Sequence, residues 1–361
     1  MKKELLVNVP LNGLSFGNVS LNLLREMWKR KMAISIFPIG NAVDISTFDK
    51  LDPEFLQWID NSIKERLEGI SGSTPSLKLW HLNGSESRIT EKQHLFTFHE
   101  LNFATHVEAS LANLQTSAIF SSAFSQEVFK SNGCKNTHSV KLGFDEDFSI
   151  LDKKFYEDKV VFGLSGKFEK RKHTAKIIKL WINKYGGDFK YRLHCLITNP
   201  FYKPEEMQAV IKDIIGDSNA GNVVFYTPQS NNTLMNDWLN CIDIDLSGLS
   251  GGEGWNLGAF NSTCLGKWSI VLNHSSHKDW ATDKNSILLE PSGMESAEDG
   301  KFFIKGNDFN QGNIFTFDDD EVLEAMTKGE KLVESPNANG IELGKKLTYS
   351  QTLDSLLGII N

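Results

Sequence analysis

Two rhythms of apolar and polar positions alternate along this chain. Short apolar runs read as strands: Leu5–Val9, Ala33–Phe37, Leu77–Leu82, His94–Phe98 and Ser117–Ser121. Between them lie stretches with helical spacing. Val19–Lys29 puts Leu21, Leu23, Leu24 and Met27 on one side, and residues 53–68 do the same with Phe55, Trp58, Ile59 and Ile63. Ser125–Asn132 reads as a helix that stops at Gly133. A second series starts at the strand Val160–Leu164. It continues with helix His173–Tyr185, strand Tyr191–Thr198, helix Pro204–Ile215, strand Asn222–Tyr226 and helix Asn231–Asn240. Pro204 suits a helix start, where its missing N–H does no harm. Further strands are predicted at Cys241–Leu246, Trp268–Leu272 and Ser286–Glu290, and helices at Leu257–Cys264, Asp318–Lys328 and Ser350–Ile360. Such alternation belongs to a parallel sheet covered by helices. The charged, aperiodic stretch Phe144–Asp158 separates the two series and suits a linker. The predicted fold class is α/β, with two doubly wound parallel sheets.

Composition narrows the function more than the fold. The 361 residues allow two to three domains at about 150 residues each. The 40% hydrophobic and 23% charged residues are ordinary for a globular protein. A net charge of −8 argues against a protein whose main task is gripping nucleic-acid phosphates, although a local basic patch is compatible with it. Cys134, Cys195, Cys241 and Cys264 show no C-x-x-C spacing, which favours reduced thiols over a zinc ribbon or a disulfide framework. The apolar run after Met1 is short and ends at Pro10, unlike a signal peptide. No run approaches the ~20 apolar residues of a membrane span. A soluble cytoplasmic protein without a transmembrane segment is expected, with peripheral attachment to a membrane left open.

Four stretches could carry chemistry. Val160–Leu164 runs through Gly166 into a cationic cluster of Lys167, Lys170, Arg171 and Lys172. In open α/β sheets ligands bind beyond the carboxyl ends of the strands, beside helix N-termini, and cations there can neutralise a departing diphosphate. A plain basic helix start would oppose the helix dipole, so the cluster reads as functional. The second stretch, Leu246–Gly258, is a glycine-rich turn between a strand and a helix; Gly252 and Gly254 let main-chain N–H groups approach an anion, and Glu253 could bond sugar hydroxyls. The third is Phe96–Glu100, where His99 is either a packed histidine or a group that serves a reacting sugar. The fourth is Asn12–Asn18, whose Gly13 and Gly17 precede a helix. It lacks G-x-G-x-x-G spacing, which argues against a nicotinamide dinucleotide site. Asp243-Ile-Asp245 has the D-x-D form of some metal sites, but it lies in an apolar strand and reads as strand-end caps or structural acids. Asp318–Asp320 reads as the acidic first turn of a helix.

In order and spacing these residues resemble the GT-B glycosyltransferases, specifically the group-1 (family 4) set. Gly166-Lys167-Phe168 and Lys172 fall where that family has G-R-L-x-x-x-K, with lysine for arginine. The resemblance implies that Lys167 and Lys172 contact the donor diphosphate, with Arg171 a close substitute. Glu253-Gly-Trp-Asn-Leu-Gly-Ala-Phe-Asn261 resembles E-G-F-G-L-P…E, so Glu253 is implied to face the donor sugar, with Gly252, Gly254, Trp255, Asn256 and Leu257 around the donor. Asn261 stands where the family's second acid holds the ribose; an amide can bond the diol but carries no charge. Ser122–Glu127 resembles S-x-F-x-x-E, Leu142–Phe148 resembles G-V-D-x-x-x-F, and His99 falls where a His or Glu lines the sugar pocket. The likeness runs from about residue 96 to 290, and the first 95 residues match in pattern only.

The resemblance implies a GT-B fold: two Rossmann-like domains facing each other across a cleft. Residues 1–152 would bind the acceptor, residues 153–345 the nucleotide sugar, and residues 346–361 would pack back on the first domain. The implied reaction is glycosyl transfer from a nucleotide diphosphate sugar, UDP- or GDP-linked, with retention, without a metal and without a cofactor. His99 and Glu253 are the implied catalytic residues, and Gly13 and Gly17 join the donor-binding set. A glycan or lipid-linked glycan is the favoured acceptor, with nucleic acid the less favoured. Two other readings fit the same residues: a sugar-nucleotide epimerase of GT-B shape, and a non-catalytic nucleotide-sugar binder.

Overall fold

The computed structural model describes residues 2–199 and 201–361. The chain forms two compact units. One runs to Asp147 and includes Lys305–Gly312 and Leu347–Asn361; the other comprises Phe148–Ile304 and Asn313–Lys346.

The first unit is built in the order β1 (Leu5–Leu11), α1 (Ser15–Lys29), β2 (Ile34–Val43), α2 (Pro53–Lys64), β3 (Ser76–Leu79), β4 (Gln93–Thr97), α3 (His106–Leu114), β5 (Ser117–Phe120), α4 (Ala123–Ser131) and β6 (Thr137–Ser139). Its six strands form one sheet, β2-β1-β3-β4-β5-β6, and every pairing is parallel. Because helices cover both faces, the central strands are buried on both sides: Leu5, Leu6, Val7, Leu77, Leu79, Leu95, Phe96, Ile119 and Phe120 are all buried.

The second unit follows with β7 (Val160–Lys167), α5 (Thr174–Tyr185), β8 (Tyr191–Thr198), α6 (Pro204–Ile215), β9 (Val223–Phe225), α7 (Asn232–Cys241), β10 (Ile244–Asp245), α8 (Leu257–Cys264), β11 (Trp268–Leu272) and β12 (Ser286–Leu289). A hairpin of β13 (Gly293–Ser296) and β14 (Asn313–Thr316) precedes α9 (Asp319–Leu332) and α10 (Ala338–Lys346). This sheet is also parallel and six-stranded, β12-β11-β10-β7-β8-β9. Phe162, Trp181, Leu193, Ile244, Ile270 and Met326 meet in its core. The last helix, α11 (Tyr349–Ile360), belongs to the first unit and lies on α1. A capping box of Thr348 and Gln351 opens it, and Tyr349, Leu353 and Leu356 are its buried face.

The α/β class with two Rossmann-like sheets is thus as the sequence predicts. The differences have local causes. Helix α1 starts at Ser15 rather than Val19, so Gly17 lies inside its first turn. A β-carbon on Gly17 would sit 2.0 Å from the Asn12 carbonyl oxygen, which is why the glycine is there. The predicted strand Cys241–Leu246 shrinks to two residues because α7 continues through Cys241. Helix α3, strand β6, the β13–β14 hairpin and α10 carry too weak a periodicity to be read in advance. Helix α10 contains Gly340 and Gly344, poor helix formers. Gly340 is needed nonetheless, since a β-carbon there would meet the Thr263 carbonyl oxygen at 2.2 Å. Among the described residues no helix is long and apolar enough to cross a membrane.

Candidate functional site

The second unit gathers its candidate residues at the carboxyl ends of β7 and β10, which are neighbouring strands. Strand β7 ends at Gly166 and Lys167. Gly166 has φ +124°, and Lys172 side-chain atoms lie 3.2–3.3 Å from where its β-carbon would be, so the glycine opens the space Lys172 uses. Residues Lys170–Lys172 form one tight helical turn, closed by His173 in the left-handed region at φ 52°. The cationic cluster therefore precedes α5 in a turn of its own, a correction to its expected place on the helix start.

The loop after β10 packs against this turn. Gly251 N–H donates to the Arg171 carbonyl at 2.7 Å, and its own carbonyl accepts from Phe315 N–H at 2.7 Å. A β-carbon on Gly251 would meet the Phe315 oxygen at 2.5 Å and His173 Nε2 at 2.6 Å. Arg171 is buried. Its guanidinium holds Glu169 at 3.0 Å and Glu253 at 3.1 Å and donates to the Gly252 carbonyl. Lys172 Nζ lies 2.5 Å from the other oxygen of Glu253. Burial alone would raise the Glu253 carboxyl, yet Lys172 and Arg171 beside it hold it well below the usual carboxylate range. Arg171 thus holds Glu169, Glu253 and the loop. Lys167 is exposed, with its ammonium 5.8 Å over the Phe201 ring.

Helix α8 opens at Asn256, itself left-handed at φ 70°. Asn256 Oδ1 accepts from Ala259 N–H, and its Nδ2 donates to the Ser247 carbonyl and to His277 Nε2, both at 2.9 Å. Since Nδ2 donates, His277 Nε2 accepts, and its Nδ1–H donates to the Leu272 carbonyl at 2.8 Å. Burial pushes His277 down to about 4. His274 donates to the Ser250 carbonyl at 2.8 Å, stacks on Phe315, and is pushed down to about 3 by burial and by His277. The two imidazoles form the neutral back wall of the glycine loop. Sequence reasoning missed both, because a histidine after an apolar strand carries no local signal.

The side chains of Asn256 and Trp255 are used internally. Asn256 caps the helix, while Trp255 is buried against Phe260 and its carbonyl accepts from Trp280 Nε1. Leu257 is the first residue of α8, and Gly252 and Gly254 flank Glu253. Asn261 lies within α8, buried, and its Oδ1 has no hydrogen-bond partner. The D-x-D acids serve as strand-end caps: Asp243 accepts from Val161 N–H, and Asp245 from the Ser247 N–H and hydroxyl. Burial raises Asp245 to about 6. Asp318 caps α9.

In the first unit, a β-carbon on Gly13 would crowd Thr47 at 2.6 Å. His99 lies just past β4. It is buried, bonded through Nε2 to the Phe103 carbonyl at 3.0 Å, and set edge-on to Phe129. Burial lowers its pKa, against the opposing pull of Glu108 and Glu100.

No family model matches the sequence, and no curated protein matches it. Solved structures do match. Sucrose-phosphate synthase from Thermosynechococcus elongatus has a TM-score of 0.67 at 10% identity, over 99% of this chain and 98% of that one. WaaG, a glycosyltransferase involved in lipopolysaccharide biosynthesis, has a TM-score of 0.64 at 10% identity, over 99% of each chain. A variant of TarM from S. aureus, in complex with fondaparinux, alpha-GlcNAc-glycerol and UDP, has a TM-score of 0.57 at 12% identity, over 81% of this chain. The chain spans only 56% of the TarM length. At these identities the likeness is one of fold, and that fold is GT-B.

Proposed function

We propose that this chain is a glycosyltransferase that moves a sugar from a nucleotide diphosphate sugar to an acceptor hydroxyl, with retention, without a metal and without a cofactor. The observation that carries the reading is the grip of Arg171 and Lys172 on Glu253, which fixes an acid and a cation together at the ends of β7 and β10. Ligands of open parallel sheets bind at such strand ends. In this reading Lys172 and Lys167 neutralise the departing diphosphate, and the main-chain amides of Gly252–Gly254 add dipoles aimed at the same charge. Glu253, kept ionised, accepts hydrogen bonds from donor-sugar hydroxyls. The orphaned Asn261 Oδ1 accepts from the ribose diol.

UDP accompanies the TarM neighbour and makes a UDP-sugar the first donor to test, with GDP-sugars second. A glycan or lipid-linked glycan is the proposed acceptor, in a cytoplasmic setting at or near a membrane; the net charge of −8 disfavours nucleic acid.

A panel of UDP-, GDP- and ADP-sugars, followed by nucleotide release and by melting temperature, tests the proposal. One donor should turn over and stabilise the protein. Neither turnover nor a thermal shift with any of them would refute it. Release of an isomerised free sugar would instead favour the epimerase. Lys172→Ala also removes a partner of the buried Glu253 and so lowers the melting temperature, but at a temperature where circular dichroism shows the variant folded its turnover should still fall by about 100-fold or more; wild-type rates would refute the diphosphate role.

A further inference from the structure

Beside Lys170 and His173 lies a cavity of about 480 Å³ that the proposed reaction does not use. It falls within the ~300–1,000 Å³ range of small-molecule sites. Three aromatic side chains line it: Phe168, Tyr202 and Phe302. Its opposite wall comes from the hairpin segment that follows β12. Lys170 pins that wall, donating to the carbonyls of Ser296 at 2.7 Å and Glu298 at 3.2 Å. Asp299 shapes the turn that presents Phe302, accepting the N–H groups of Lys301, Phe302 and Phe303 at 2.8–2.9 Å through one oxygen.

The charges around the cavity select its ligand. Three lysines, at 170, 176 and 301, face three acids, Glu169, Glu295 and Asp299, so the lining is balanced. The cations are already engaged. Lys170 is bound to the hairpin, Lys176 pairs with Asp319 at 2.7 Å, and the Lys301 ammonium sits 3.4 Å over the Tyr202 ring. An anion would find no surplus positive charge here, which separates this cavity from the Lys167–Lys172 site. What remains is aromatic surface ringed by donors and acceptors of both signs. That combination suits an uncharged ring with an apolar C–H face and a rim of hydroxyls.

We propose that this cavity binds a neutral pyranose unit of a glycan, packed against the aromatic side chains of Phe168, Tyr202 and Phe302, as a site separate from the donor site. The binding does not depend on transfer chemistry; only the further assignment of the sugar to the acceptor glycan rests on the glycosyltransferase reading.

The test is calorimetric titration of the full chain with maltohexaose, cellohexaose, chitohexaose and mannohexaose, with uridine and adenosine as comparison ligands. At least one hexasaccharide should bind saturably. Phe302→Ala and Tyr202→Ala should each weaken it at least tenfold, with the far-ultraviolet circular dichroism of each variant checked for folding. Lys172→Ala should leave that binding unchanged, so loss of the donor reading would not remove it. Binding of none of the four sugars, equal binding in both aromatic variants, or a nucleoside that loses affinity in those variants while no sugar binds would each overturn the assignment.

Discussion

Glu253→Gln is the substitution that tests the architecture of the site most directly. The wild-type cluster holds two cations, Arg171 and Lys172, against two carboxylates, Glu169 and Glu253, with side-chain exposures of 5%, 18%, 6% and 8%. Glutamine keeps the shape and removes one negative charge, which leaves a surplus cation in a mostly buried cluster. Removing one partner of a buried pair costs about 3–5 kcal/mol. Lys172 is the more exposed cation and can turn toward water, so the lower end, about 3 kcal/mol at pH 7, is expected. The sign of the pH effect follows from the depressed carboxyl. In the unfolded chain Glu253 takes up a proton near its ordinary value of 4.5, while in the folded chain it stays ionised far below that. The stabilisation is therefore complete above pH 4.5 and is lost as pH falls below it, at about 1.4 kcal/mol per pH unit. Urea unfolding of wild type and Glu253→Gln from pH 7 to pH 3 measures both quantities. The gap between them should hold down to about pH 4.5 and then close by about 2 kcal/mol at pH 3. A gap below 1 kcal/mol at pH 7, or one that stays constant down to pH 3, would refute the reasoning.

Three further outcomes follow from the same loop. His277→Phe keeps a ring in the back wall but leaves one Asn256 N–H without an acceptor, so about 1–3 kcal/mol should be lost in a urea titration at pH 7; an unchanged midpoint counts against the assigned tautomer. Because His277 is pushed from 6.5 to about 4, its neutral form stabilises the fold fully above pH 6.5, and about 3 kcal/mol drains away between pH 6.5 and 4; a wild-type stability that is flat across that window speaks against it. Gly251→Ala places a β-carbon 2.5 Å from the Phe315 oxygen, and overpacking of that kind should cost about 1–3 kcal/mol; a melting temperature equal to wild type would show that the loop yields.

The regular elements of the second unit were legible because each repeats its own period. Tyr191–Thr198, Pro204–Ile215, Leu257–Cys264 and Trp268–Leu272 have the bounds their apolar spacing predicts. The candidate loops were legible as well, since glycines and clustered cations after an apolar strand are local signals. What joins them was not. Lys172 and Glu253 stand 81 residues apart and meet only because β10 lies beside β7 in the sheet. No periodicity encodes that order. The same holds for His277, which reaches Asn256 from the far side of β11, and for Gly340, whose helix has poor intrinsic propensity and exists because α8 lies against it.

The sequence presents Arg171 and Lys172 as adjacent cations of one kind, and the structure gives them different work. Arg171 is planar and nearly dry, and it reaches two carboxylates and a carbonyl at once. A guanidinium is suited to that because it spreads five donors in a fixed fork and gives up hydration more readily than an ammonium. Lys172 is a point charge on a flexible stem whose alkyl part passes the bare Gly166 backbone. It has one carboxylate partner in Glu253 and three N–H donors, so it can keep that partner and still offer donors to an arriving phosphate. Arg171 keeps Glu253 in place, which in the proposed reaction leaves Lys172 to meet the ligand. Exchanging the two residues would conserve every charge and lose the arrangement, because a lysine at 171 cannot bridge Glu169, Glu253 and Gly252 together, and an arginine at 172 would have to fit its fork where a slender stem now passes.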